Sequence, residues 1–178
     1  CFVGNPPFLG GRKISGTLGD DYLAWLTSAY VGAGGQADLV SYFFRRTFDC
    51  SRLTGTVGLI ATNTIAQGDT RRASLQHLCR EGATIFNAKK RLLWPNTDAA
   101  AVVVSVVHFA KGVLPPPFSL DDQPRGFISA YLFYTGTNED PCHLHASSGL
   151  AFKGQEPYGR AFIFDDAMKG ANGLAAMK

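Results

Sequence analysis

Cys1-Phe2-Val3-Gly4-Asn5-Pro6-Pro7-Phe8 is the stretch on which the fold reading turns. An apolar run of strand length reaches Gly4, and the two prolines then stop any ladder and stiffen the turn. The glycine-rich stretch Leu9–Gly19 reads as a loop carrying Arg12 and Lys13. Asp20 and Asp21 suit a helix N-terminus, and Tyr22, Leu23, Trp25, Leu26, Ala29 and Tyr30 give that helix an apolar face. Gly32–Gly35 ends it. Asp38 caps a second helix with Leu39, Val40, Phe43, Phe44 and Phe48 on its core side. After a turn at Thr54-Gly55, the β-branched run Thr56–Thr62 predicts a strand. A third helix, Arg71–Arg80, starts at Asp69 or Thr70 and is closed by Gly82. Ala83–Phe86 predicts a strand that Arg91–Trp94 continues. Asn96-Thr97-Asp98 turns the chain into Ala99–Ala110, the strongest strand signal present. The order β-α-α-β-α-β-β, closing in a hairpin, predicts an α/β domain of the kind that forms the second half of an open sheet.

The chain of 178 residues suits one domain, or one domain and part of another. Hydrophobic residues make up 46%, with 13 Phe, so a packed core is expected and a disordered or low-complexity segment is excluded. The net charge of +3 permits nucleic-acid binding without requiring it. No apolar run reaches 18 residues, so no membrane span is expected. The N-terminus shows no signal or transit peptide and no initiator Met, and a strand entered midway reads as a segment of a longer chain. Cys1, Cys50, Cys79 and Cys142 make no Cys-x-x-Cys pair and are expected to be reduced thiols, in a cytoplasmic, prokaryotic-type protein. Composition shifts at Pro115-Pro116-Pro117, a stiff connector. The expected boundary lies near Gly112, dividing residues 1–112 from a loop-rich β extension, 113–178, with strands at Phe127–Tyr134 and Arg160–Phe164.

Asn-Pro-Pro-aromatic at the carboxyl end of a strand suits one chemical task. An exocyclic amine conjugated to a ring is a poor nucleophile, and accepting both of its N–H hydrogens frees the nitrogen lone pair. The Asn5 side-chain oxygen can accept one. The Pro6 carbonyl can accept the other, since proline keeps its acceptor. Pro7 holds the loop rigid, so the acceptors need no reorganisation. Phe8 offers a face on which a planar base stacks. A duplex base reaches such a pocket only by leaving the stack. An ordinary strand-ending turn has the same composition, and the tetrapeptide alone leaves both readings open.

The surrounding residues are more specific. Val3-Gly4-Asn5-Pro6-Pro7-Phe8-Leu9-Gly10-Gly11, Ala37-Asp38-Leu39 and the run Ile60-Ala61-Thr62-Asn63-Thr64-Ile65-Ala66-Gln67-Gly68-Asp69-Thr70-Arg71 resemble the adenine-specific DNA methyltransferases, nearest to the MmeI-type single-chain restriction–modification enzymes. Ser148–Asp166 resembles the start of that family's target-recognition region. The resemblance implies the second half of a Rossmann-like class I methyltransferase sheet, with residues 1–112 as its catalytic half. It implies S-adenosylmethionine as methyl donor and double-stranded DNA as partner. Asn5, Pro6, Pro7 and Phe8 match the catalytic tetrapeptide, with Phe in place of the commoner Tyr, and Asn5 would also edge the cofactor site. Trp94 falls where the family keeps a second aromatic against the flipped adenine; a core or hairpin Trp is the competing reading. Asp38 is read as a helix cap, with a place facing the active site as the less favoured reading. The family's main cofactor segment, a strand, glycine-rich turn and acidic residue, precedes the tetrapeptide, so the missing N-terminal half is an expected partner and this chain alone is expected to be inactive.

The remaining clusters carry less. Cys142-His143-Leu144-His145 lacks a second ligand pair at finger-like spacing, and no metal is expected. Arg12-Lys13, Arg71-Arg72 and Lys89-Lys90-Arg91 read as solvated surface, with phosphate contact as the functional alternative and Arg12 and Lys13 as the preferred pair for it. His108, on an apolar strand, reads as a satisfied core residue. Two other functions stay open: a methyltransferase acting on a protein glutamine or an RNA guanine amine, and a non-enzymatic DNA-binding remnant.

Overall fold

The computed structural model describes residues 1–94, 102–142 and 145. Its elements are β1 (Phe2–Gly4), α1 (Gly11–Leu18), α2 (Asp20–Ala29), α3 (Leu39–Cys50), β2 (Thr56–Thr62), a 3-10 turn (Asn63–Ala66), α4 (Gly68–Arg71), a π-helical turn (Arg72–Gln76), α5 (His77–Arg80), β3 (Ala83–Leu93), β4 (Val103–Lys111), β5 (Phe118–Leu120) and β6 (Gln123–Arg125). Six strands form one mixed sheet in the order β1-β2-β4-β3-β5-β6. β1 runs parallel to β2, with Gly4 opposite Leu59. β4 is inserted antiparallel between β2 and β3, which closes the expected hairpin. The fold is thus the mixed α/β sheet that the element order predicts.

β2 and β4 are interior strands: β2 buries one apolar row, and β4 buries apolar side chains on both faces. Val57, Leu59 and Ala61 are buried on β2, and Val104, Val107, Phe109 and Ala110 on β4. Phe109 stacks on Phe44 of α3 with ring centroids 5.8 Å apart, and Phe48 packs 6.4 Å from it. The amphipathic pattern of α3 therefore lands on the sheet as expected. Gly58 is required by a neighbour: a Cβ there would lie 2.7 Å from the His108 ring. His108 is half-buried against Phe86, and its Nδ1 has no partner among the described residues, so its expected satisfaction is incomplete.

Three expectations need correction. Leu9–Gly19 is not all loop: Gly11–Leu18 is helix α1, which buries Ile14 in a second apolar cluster with Leu26, Ala37, Leu39, Tyr42 and Ala73. Arg12 and Lys13 accordingly sit on the first turn of a helix. Phe127–Tyr134 forms no strand, because Leu132 takes a left-handed backbone (φ 55°) within a turn closed from Leu132 N to Ser129 O. The two strands after the prolines are instead β5 and β6, on the same sheet as β1. Residues Cys1–Asp140 pack as one unit. Arg71 is no solvated surface residue, being only 2% exposed.

The turn at Asn96-Thr97-Asp98, Pro95, the start of Ala99–Ala110, His143, Ser148–Asp166 and Arg160–Phe164 lie outside the described residues. All four cysteines carry free thiols. Among the described residues no helix is long and apolar enough to cross a membrane.

Candidate active site at the carboxyl end of the first strand

The chain leaves β1 at Gly4 and passes through Asn5, exposed, Pro6, buried, Pro7, exposed, and Phe8, half-buried against the main core. Parallel pairing puts this loop at the carboxyl end of β1 beside the carboxyl end of β2, where ligands of open α/β sheets bind. Among the described residues no hydrogen bond occupies the Asn5 side-chain oxygen or the Pro6 carbonyl.

Asp38 holds the loop in place. Its carboxylate caps α3 by accepting the Val40 amide at 3.1 Å. The same Oδ1 accepts the Leu9 amide at 3.3 Å, and the Thr62 hydroxyl lies 3.5 Å from Oδ2. The Asp38 amide donates to Thr70 Oγ1 at 3.1 Å, and the Leu39 amide donates to the Leu9 carbonyl at 2.9 Å. One buried residue therefore ties four segments together: its carboxylate holds the tetrapeptide loop, α3 and the end of β2, and its backbone amide holds α4. Gly11 completes the joint from the other side: a Cβ there would lie 2.3 Å from the backbone of Gln36 and 2.7 Å from the Ala37 carbonyl, so only glycine permits this approach. The cap expected of Asp38 is present. The additional contact to Leu9, 29 positions away, carries no local sequence signal; only its place beside Ala37 and Leu39 in a matched motif pointed to it.

The other expected site residues are spread over the same end of the sheet. β2 ends at Thr62 opposite Val104, and the β3–β4 hairpin projects beyond that end, carrying Trp94, whose amide donates to the Val102 carbonyl at 2.8 Å. Trp94 is 37% exposed, which leaves part of its ring open to solvent. β2 and β4 separate β3 from β1, so the hairpin stands about 14 Å to the side of Asn5 at ordinary strand spacing. Arg12 lies on the exposed side of α1, its Nη2 3.5 Å from Gln36 Oε1, and Lys13 is also exposed. The structure thus brings the tetrapeptide and Asp38 into one joint, leaves Arg12 and Lys13 exposed on α1, and puts Trp94 on a hairpin three strands from β1.

A cluster with no local sequence signal gathers around Arg71. Arg71 donates to the Asn138 carbonyl at 3.1 Å, pairs with Asp140 and lies 4.0 Å from the Tyr131 ring centroid. Arg72 bonds Asp140 at 3.0 Å, and Arg80 pairs with Glu139. The Arg80 hydrogen bond holds the Glu139 carboxyl below its ordinary range. At Asp140 desolvation pulls upward, but the bonds and charges of Arg72 and Arg71 prevail and its pKa is lowered. These contacts pin the loop through residues 131–140 onto the helix that follows β2.

The family model for the MmeI DNA-methyltransferase domain matches residues 1–115. A solved structure, described as the type IIL restriction–modification enzyme MmeI in complex with DNA, matches with a TM-score of 0.59 and 24% sequence identity, over 75% of this chain and 20% of that one. At that identity the likeness speaks to the fold alone. The chain spans about a fifth of the length of that enzyme. No curated protein matches.

Proposed function

The chain belongs to the MmeI DNA-methyltransferase domain family, and from that premise we propose that its Asn5–Phe8 loop receives the exocyclic amine of an adenine flipped out of duplex DNA and activates it for methyl transfer. The observation that supports this reading is that two acceptors, Asn5 Oδ1 and the Pro6 carbonyl, have no hydrogen-bond partner among the described residues and lie on a proline-stiffened loop that Asp38 ties at the carboxyl end of β1.

The chemistry on the acceptor side follows from that geometry. The amine donates one hydrogen to Asn5 and one to Pro6. Its nitrogen then loses conjugation with the ring and presents a lone pair. Acceptors fixed before the reaction cost no reorganisation in the transition state. Phe8 supports the base on one face, and Trp94 on the projecting hairpin is the candidate for the other. Arg12 and Lys13 would contact backbone phosphates, which position DNA without reading its sequence. The division of labour is residues 1–112 for catalysis and 113–178 for the linker and the start of target recognition.

The methyl donor implied by the family is S-adenosylmethionine. The described residues do not fit it as a complete site. Beyond β1 there is no second strand with a glycine-rich turn among them, and Asn5 supplies only an edge. A complete donor site would need a further protein wall along β1.

The test uses the full-length protein, radiolabelled S-adenosylmethionine and duplex DNA, followed by nucleoside analysis. N6-methyladenine is the expected product. Label in cytosine, in a peptide glutamine or in an RNA guanine would contradict the reading.

A further inference from the structure

A cleft of 570 Å³ lies between the segment that follows β2, the upper part of β3 and the loop at residues 131–133. We propose that it holds a backbone phosphate of the DNA strand that enters the site, anchoring a nucleotide next to the one presented to Asn5. The proposal rests on the reading of this chain as part of a DNA methyltransferase.

Three observations carry it. The first is backbone strain. Among the described residues five non-glycine positions have left-handed φ, and three of them, Arg91 (56°), Asp121 (52°) and Leu132 (55°), line this cleft. Such conformations disfavour residues with side chains and persist where the surroundings impose them, commonly at ligand clamps. The second is the β3 bulge. Alternation along a strand sends neighbours to opposite faces, but the register shift between Lys89 and Leu92 takes two residues out of the ladder, and Lys90 and Arg91 both line the cleft. Lys89 lies outside it, paired with Asp122 at 2.9 Å. The third is charge. Two cations face one carboxylate, Asp121, which is 3.6 Å from Lys90 Nζ and accepts the Lys90 amide at 2.8 Å. Lys90 is further held 5.0 Å over the Phe133 ring. The surplus is positive, and Asn63 and Gln67 add amide donors on the facing wall.

An anion is thus the ligand, and the position selects which one. The cleft opens at the same end of the sheet as Asn5, with its β3 wall about 14 Å to the side at ordinary strand spacing and its other wall on the segment that follows β2, the strand next to β1. A strand whose base sits at Asn5 reaches that far with its neighbouring phosphates. Phosphate contact of this kind strengthens binding without regard to sequence and makes it salt-dependent.

The experiment is fluorescence anisotropy of the full-length protein on two unrelated duplexes across a salt series. Lys90→Gln and Arg91→Gln are each expected to weaken binding equally on both duplexes and to reduce the salt slope by about 1. Lys89→Gln is expected to change the slope less than either. Asp121→Asn keeps the acceptor for the Lys90 amide and removes the charge, so it is expected to tighten binding, an outcome that misfolding does not produce. Unchanged slopes in the two cation variants, or weaker binding by Asp121→Asn, would overturn the cleft as a phosphate site. Failure of the unsubstituted protein to bind either duplex would instead overturn the DNA reading on which it rests.

Discussion

At one edge of the sheet β6 is three residues long, Gln123-Pro124-Arg125, with polar Gln and Arg flanking a proline that has no N–H to offer a further strand. At the other edge β1 is also three residues long, but it carries Phe2 and Val3, which are 40% and 85% exposed. Proteins blunt sheet edges with short strands, prolines and charges. β6 has all three devices. β1 has only its shortness, and its side chains are those of a strand covered by protein. The edge that bears the tetrapeptide is therefore the less protected of the two, and the β6 edge carries the devices that discourage a further strand. A methyltransferase site split between an activating loop and a donor-binding wall would be divided along the β1 edge.

Paired substitutions sharpen the contrast, beginning with the largest effect. Gly11→Ala places a Cβ into the backbone of Gln36 and Ala37. The gain in helix propensity of about 1 kcal/mol is outweighed by overpacking of about 3 kcal/mol, and the Asn5–Phe8 loop shifts with α1. Gly126→Ala, just past β6, meets nothing within 4 Å, and reduced freedom of the unfolded chain stabilises by about 0.4–1 kcal/mol. Urea unfolding of both variants measures the pair. Equal midpoints would remove the claim that the tetrapeptide edge is the tightly constrained one. A smaller effect is expected at the exposed rows themselves. In this chain Val3→Lys should weaken concentration-dependent self-association by about 2 kcal/mol, the contribution of one covered valine. Gln123→Lys should leave it unchanged. Light scattering over a dilution series reads both, and identical curves for the two variants would show that the β1 edge is not adhesive.

Much of this arrangement was legible in the residues. Thr56–Thr62 is β-branched and apolar and is a strand with those bounds. Asp38 is a cap because a short acceptor precedes an apolar-periodic run. α1 was not legible, since Gly10, Gly11, Gly16 and Gly19 argue against a helix by propensity. What makes it a helix is tertiary: Ile14 is fully buried and Gly11 is pressed onto the backbone before α3. β3 was read as two pieces because Asn87-Ala88-Lys89-Lys90 has no apolar alternation. The sheet carries it through with bulges, and those bulges are what turn Lys90 and Arg91 into the cleft. The joint at Asp38 and the latch from Arg71 to Asp140 link residues 29 and 69 positions apart. Neither leaves a periodic or local pattern to read.

The central claim is that the loop after β1 activates an amine, and the most direct measurement is the kinetics of Asn5→Ala in the full-length enzyme. Loss of one acceptor aimed at the reacting nitrogen should lower the rate of methyl transfer to DNA by about 10²-fold or more, while the dissociation constant for DNA stays within about twofold, since a uniform contact would instead move binding and rate together. An unchanged rate, or DNA affinity falling in step with the rate, would contradict the assignment.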